Sequence, residues 1–188
     1  AATSVESSAC SYCAAGQYSG AASAICSDCA AGTYSPAGAS VCTSCSAGQY
    51  SEFASATCLD CDLGTFSTAG SSVCTSCDAG KYLYSSSSAD SADVCEECEA
   101  GKFSEQGSTS CVICSFGKYS TLASSSCTSC PSGKYIADDA TTTSLHADDT
   151  ACINCEGGKS SNSPASSCTI TCPPDTYASG GTPCTDCE

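Results

Sequence analysis

The sequence predicts a small disulfide-rich fold: an elongated linear array of roughly 16-residue cysteine-rich repeats, built from short β segments and turns with little or no helix. Three observations predict it. There are 22 cysteines in 188 residues. The first cysteines of successive pairs stand at positions 10, 26, 42, 58, 74, 95, 111, 127, 152, 168 and 184, so that eight of the ten steps are 16 residues and the others 21 and 25. Val, Ile, Leu and Phe together number only 19, against 39 Ser and 19 Thr. A chain so poor in large apolar groups, with a net charge of −15, has a disordered composition unless cross-links replace the core.

Residues 1–9 carry no pattern and read as a loose N-terminal segment. From Cys10 onward the chain is a continuous array of about ten copies of one loop, whose type example runs from Cys13 to Cys29. Each copy reads Cys-x-x-Gly-x-aromatic-Ser, then a small or polar stretch, then the next cysteine. The recurring glycines (Gly16, Gly32, Gly48, Gly64, Gly80, Gly101, Gly117, Gly133, Gly158) mark a tight turn that needs positive φ. Two residues further on, Tyr18, Tyr34, Tyr50, Phe66, Tyr82, Phe103, Tyr119, Tyr135 and Tyr177 are the one large apolar group that each repeat has to bury. Ser160 replaces the aromatic in the ninth copy and Asp175 the glycine in the tenth, so these two are expected to be the most weakly defined.

A weaker 32-residue period overlies the first four loops: residues 14–29 match 46–61 at 11 of 16 positions. Two insertions interrupt the array, near 83–93 and 136–150, where solenoids place loops on one face. All five lysines (Lys81, Lys102, Lys118, Lys134, Lys159) occupy the position between glycine and aromatic in successive repeats. They would form a ladder, or simply offset local carboxylates.

Composition excludes several functions. Without Arg and with five Lys, the chain has no basic cluster for nucleic acid or an anionic membrane. No stretch is long and apolar enough to insert into a membrane, and no signal-peptide pattern lies within these residues. Dense cysteine pairs imply an oxidising compartment, extracellular or at the cell surface. The pair spacing also matches zinc sites, but zinc needs thiolates and a reducing environment, and eleven pairs leave one over. A thioredoxin-like role needs one pair at a helix N-terminus. The lone His146 completes no catalytic set and reads as solvated, so no enzyme activity is expected. Asp138, Asp139, Asp148 and Asp149 could hold Ca²⁺, although they lack a defined loop order and a solvated acidic insertion fits better; otherwise no cofactor is expected. No Asn-x-Ser/Thr acceptor is present, while Ser85 to Ser88 and Thr141 to Ser144 could carry O-linked glycans.

Two pairings suit the cysteines: each pair's second cysteine to the next pair's first, or two pairs crossed first to third and second to fourth. The 16-residue period favours the former and the 32-residue period keeps the latter open. The spacing of Cys13, Gly16, Tyr18, Cys26 and Cys29 resembles ephrin-receptor-like cysteine-rich repeats, and the single-disulfide half of a tumour-necrosis-factor-receptor module. That resemblance extends over almost the whole chain. It implies a Cys13–Cys26 bond and, carried along the array, Cys29–Cys42, Cys45–Cys58, Cys61–Cys74, Cys77–Cys95, Cys98–Cys111, Cys114–Cys127, Cys130–Cys152, Cys155–Cys168 and Cys172–Cys184. Cys10 and Cys187 are then left over, and are expected to join copies head to tail or to continue a longer array. Similar arrays occur in extracellular filament proteins of protists and algae, including flagellar hairs (mastigonemes). The resemblance with its uniform repeats implies a structural subunit of an extracellular fibre or surface coat, partnered by copies of itself or by other fibre or coat proteins. The alternative is a ligand-binding or stalk region of a cell-surface receptor ectodomain.

Overall fold

The structure, a computed structural model, describes residues 12–21, 23, 25–84, 94–138, 140–156, 159–170, 176–177 and 185–186. The N-terminal segment 1–9 and most of the first insertion lie outside these, as do Gly158 and Asp175. The chain divides into two units, Ala1–Ser76 with Ser85–Val94, and Cys77–Tyr84 with Cys95–Glu188.

Each repeat forms one hairpin of two-residue strands. In the first repeat Ala14–Gln17 make a turn in which the Gln17 N–H donates to the Ala14 carbonyl at 3.1 Å, with Gly16 at φ 83° as its third residue. That turn launches Gln17–Tyr18, which pairs antiparallel with Ser27–Asp28 in the register Gln17 to Asp28 and Tyr18 to Ser27. Thr33–Tyr34 with Thr43–Ser44, Gln49–Tyr50 with Leu59–Asp60, and Thr65–Phe66 with Thr75–Ser76 repeat this within the first unit. In the second unit the strands opening at Lys81, Lys102, Lys118, Lys134 and Lys159 do the same, and Thr176–Tyr177 pairs with Thr185–Asp186. The ninth repeat therefore forms its hairpin with Ser160 in the aromatic position. Among the described residues there is no α-helix; two short 3-10 turns, Thr143–His146 and Asp149–Ala151, lie in the second insertion.

The interior differs from the expected one. The rings in the aromatic position of the repeats, from Tyr18 to Tyr135, are all half-buried rather than enclosed. What is enclosed in most repeats is the cysteine that opens the loop and the serine after the ring: Cys29, Cys77, Cys98, Cys114 and Cys130 are 0% exposed, and Ser35 and Ser51 are 0% and 1% exposed. The reason is the closeness of the repeats. An added Cβ on Gly80 would lie 2.1 Å from the carbonyl oxygen of Ala123, two repeats further along, and one on Gly32 would lie 2.0 Å from that of Gly70. Backbone therefore meets backbone, and in the ordinary repeats the enclosed space between them holds a sulfur and a hydroxyl. A small apolar cluster of Cys130, Ile136 and Cys152, with Tyr119 and Ala151 against it, forms beside the second insertion.

Gly133 has φ 83° like the others, but nothing lies within 4 Å of its would-be Cβ. Gly133→Ala therefore isolates the conformational cost, on the order of 1–2 kcal/mol for a side chain held at positive φ. Gly80→Ala adds a backbone collision and is expected to cost at least twice as much in denaturant unfolding with the disulfides intact. Equal costs for the two would show that the close approach relaxes freely.

Candidate functional site: the junction between repeats

Nine disulfides stand among the described residues: Cys13–Cys26, Cys29–Cys42, Cys45–Cys58, Cys61–Cys74, Cys77–Cys95, Cys98–Cys111, Cys114–Cys127, Cys130–Cys152 and Cys155–Cys168. Each closes a single loop, and the Cα separations run from 5.6 to 5.8 Å around the array. Cys10, Cys172, Cys184 and Cys187 lie outside the described residues. The disulfide sets the ends of each loop; the junction to the next repeat is made by hydrogen bonds.

Four bonds recur at that junction. Between the first two repeats the Gly16 N–H donates to the Ser35 carbonyl at 2.8 Å, and the Ser35 hydroxyl donates back to the Gln17 carbonyl at 2.9 Å. The Ser19 N–H reaches the Ala39 carbonyl at 3.2 Å, and the Gly38 N–H reaches the Cys13 carbonyl at 2.9 Å. The same set joins the sixth and seventh repeats through Ser120 to Gly101 and Lys102, Ser104 to Ser124, and Ala123 to Cys98. Every buried serine of this type (Ser35, Ser51, Ser67, Ser104, Ser120, Ser161) donates its hydroxyl to the previous repeat's strand. Neither this role nor the fourth bond's donor follows from the glycine and ring positions. The signal was present, since serine follows the aromatic in most repeats and Gly38, Gly70 and Gly107 recur nine residues after the opening cysteine. These last adopt φ of 78°, 78° and 72°, and Ala54 and Ala123, which replace them, adopt 55°.

The second insertion repairs a junction that lacks its serine. Ile136 stands in the serine position and is buried, so the Lys118 carbonyl has no hydroxyl to meet. His146 takes the place: its Nδ1 lies 2.6 Å from that carbonyl, and its own backbone carbonyl accepts the Ser120 N–H at 2.9 Å. Since a carbonyl only accepts, Nδ1 carries the hydrogen. His146 is thus 0% exposed, which corrects the reading of it as a solvated residue; the missing hydroxyl is what draws it inward. Its Nε2 lies 3.1 Å from Asp138 Oδ2.

The acidic residues of that insertion are engaged locally. Asp138 accepts from the Thr141 hydroxyl and from the Thr141 and Thr142 N–H groups at 2.9 and 2.8 Å. The Thr141 hydroxyl, the Thr142 amide and His146 hold its carboxyl well below the usual carboxylate range. Asp148 caps the Asp149–Ala151 turn through the Thr150 amide, and the Thr150 hydroxyl and amide lower its pKa as well. Asp149 is exposed, and Asp139 lies outside the described residues. Among the described residues no three His, Cys, Asp or Glu gather as a metal would need. Of the hydroxyls considered for O-glycans, Thr141, Thr142 and Ser144 are exposed and Thr143 is half-buried, whereas Ser85 to Ser88 lie outside the described residues.

Each lysine is the first residue of its repeat's first strand. Lys81 pairs with Glu97 at 3.4 Å, Lys102 with Glu99 at 3.1 Å and Lys159 with Glu156 at 3.8 Å, all at least partly exposed and therefore weak. In the first unit the same position alternates. Gln17 and Gln49 donate across the hairpin to Asp28 and Asp60 at 2.8 Å, whereas the hydroxyls of Thr33 and Thr65 turn back to Ala30 and Asp62 at 2.7 Å. This alternation gives the 32-residue period of the first four loops its physical content.

Residues 16–57 match the family model described as tyrosine-protein kinase ephrin type A/B receptor-like. The match covers under a quarter of the chain. The hairpin, disulfide spacing and junction bonds continue beyond residue 57. No curated protein matches the chain. The match and the disulfides make this a cysteine-rich repeat array of extracellular type, and point to the cell exterior or surface. The matched family is a receptor-like repeat rather than a catalytic one. Among the described residues no helix is long and apolar enough to cross a membrane.

Two outcomes follow from this geometry. Ser104→Ala leaves the Lys81 carbonyl without its donor and is expected to cost on the order of 1–2 kcal/mol in chemical unfolding, where a change within error would remove the hydroxyl from the junction's essential contacts. The lowered pKa of Asp138 means that the unfolded chain binds more protons in acid, so its contribution is intact above about pH 4 and declines as pH falls toward the folded value. Asp138→Asn should flatten the acid arm of a stability-against-pH curve without abolishing it, because Asp148 acts with the same sign.

Proposed function

We propose that this chain is a structural subunit of an extracellular fibre or surface coat, a disulfide-laddered array that assembles longitudinally with copies of itself or with other fibre proteins. The observation that carries it is the reuse of one hydrogen-bonding junction by repeat after repeat. Gly N–H to Ser carbonyl, with Ser hydroxyl back to the preceding strand, extends an array in one direction and needs no special residue to continue it. Glycan carriage on exposed hydroxyls would suit such a surface. The second reading, a ligand-binding or stalk segment of a receptor ectodomain, is favoured by the receptor-like match over residues 16–57.

Immunogold electron microscopy of the source cells, with antibodies to the exposed loops, separates the two. Gold tracking along extracellular filaments or a continuous coat is the expected result. Label restricted to isolated particles at the plasma membrane, and absent from any fibre or coat, would replace the structural reading with the receptor one.

A further inference from the structure

Two grooves in the second unit are built alike. One, of about 320 Å³, is lined by Tyr82, Glu97, Glu99, Lys102, Ser110 and Cys111, and also by Glu96, which has no counterpart in the other. The other, of about 330 Å³, is lined by Tyr135, Asn154, Glu156, Lys159, Ser167 and Cys168. The correspondence is position by position. Each has the ring of one repeat, the second residue between that repeat's next two cysteines, the Glu after the following opening cysteine, the Lys three residues on, and the Ser and half-cystine that close that loop. In both, Glu and Lys form the ion pair already described, at 3.1 and 3.8 Å.

The two grooves also share an address. Each lies between an insertion-bearing repeat and the one after it. Those are the repeats whose disulfides span 18 and 22 residues instead of 13, and in which Leu83 and Ile136, both buried, replace the serine. Their closing half-cystines, Cys95 and Cys152, are 7% and 5% exposed, whereas those of the ordinary repeats are half-buried or exposed. Cys-Glu-x-Gly-Lys occurs in the sequence only in the repeats that follow them, at Cys98 and Cys155. A long loop, an aliphatic substitution and a Glu–Lys pair thus occur together twice.

We propose that these grooves are two equivalent binding sites for a neutral saccharide unit. The class follows from what they have in common. The first is rich in carboxylates, with Glu96, Glu97 and Glu99, but the second holds one Glu, one Lys and Asn154, so a ligand using the shared features carries no net charge. Ring and half-cystine offer an apolar face to the C–H side of a pyranose. The adjacent carboxylate and ammonium suit a vicinal diol, one hydroxyl donating to Glu and the other accepting from Lys, in charge-assisted bonds stronger than neutral ones. The lining is too polar and the volume too small for a large apolar ligand. In the first groove the Tyr82 hydroxyl is committed to Glu96 at 2.6 Å, so its ring rather than its polar end is left for the ligand. Two sites on one chain would let a glycan polymer bind by avidity. This inference is independent of whether the array builds a fibre or a receptor.

The test is an NMR titration of the oxidised full chain with neutral tetrasaccharides of glucose, mannose and galactose, with tetragalacturonate and spermine as charged probes. At least one neutral probe should shift the Tyr82 and Tyr135 ring signals together, saturably, at roughly millimolar concentration. Glu99→Gln should weaken the Tyr82 response about tenfold and leave that of Tyr135 unchanged, with Glu156→Gln giving the converse. Both carboxylates are largely exposed, at 77% and 89%, so neither change threatens folding. The proposal is overturned if no neutral saccharide moves either ring, if only a charged probe does, or if both variants bind as the parent does.

Discussion

The structure depends on one constraint: the polar groups of a backbone packed this closely must find partners between repeats. A hairpin of two-residue strands satisfies few of its own N–H and C=O groups, and each buried group left unpaired is costly. The reciprocal pair at the ordinary junctions, Gly N–H to Ser carbonyl and Ser hydroxyl to the strand carbonyl beside that glycine, answers the need with the smallest possible side chains. No buried side-chain nitrogen or oxygen among the described residues lacks a partner. In this array hydrogen bonds do the work that apolar packing does in a globular core.

Composition then follows from geometry. Where backbones approach so nearly that an added Cβ would overlap a carbonyl, only glycine fits, and the enclosed positions beside them are taken mostly by Cys and Ser. That leaves little hydrophobic burial to oppose the entropy of ordering, which is of order 1–2 kcal/mol per residue for backbone alone. Each loop closed by a disulfide reduces the freedom of the unfolded chain by roughly 3 kcal/mol on the chain-entropy account. Cross-links and junction bonds are therefore complementary, since the former restrict the unfolded state and the latter complete the folded one. Oxidation is a condition of the fold, which is why the compartment can be read from the same residues that hold the hairpins.

Features that depend on local backbone chemistry were legible in the sequence. A glycine three residues after a cysteine announces a positive-φ turn, and Gly16, Gly80 and Gly133 adopt it. The aromatic-containing segments are extended, as their β-branched and ring residues suggest. What depended on contact between repeats was less visible. The ring looked like the core because it is the largest apolar group, but enclosure is decided by the distance between repeats, which no single repeat encodes. The serine recurs in the motif, but its role was not legible because its partner is 18 residues away in the ordinary repeats. The approach of a glycine to the repeat two along, as at Gly16, Gly32 and Gly80, appears only in three dimensions.

His146 shows how such an array tolerates departure from its own rule. Replacing the junction serine by Ile136 gives the eighth repeat an apolar cluster but removes the donor to the Lys118 carbonyl. A histidine reaching in from a longer loop restores that donor, and in doing so ties Asp138 and the Thr143–His146 turn to the junction. The longer loop and the lost serine are therefore not independent changes. Once the hydroxyl is gone, a donor must come from elsewhere in the chain, and in this repeat the insertion supplies it. The fifth repeat pairs the same kind of replacement, Leu83, with its own longer loop. An array held by repetition thus acquires a distinctive surface where it rebuilds a junction, and the eighth repeat, with the groove beside Tyr135, is such a place.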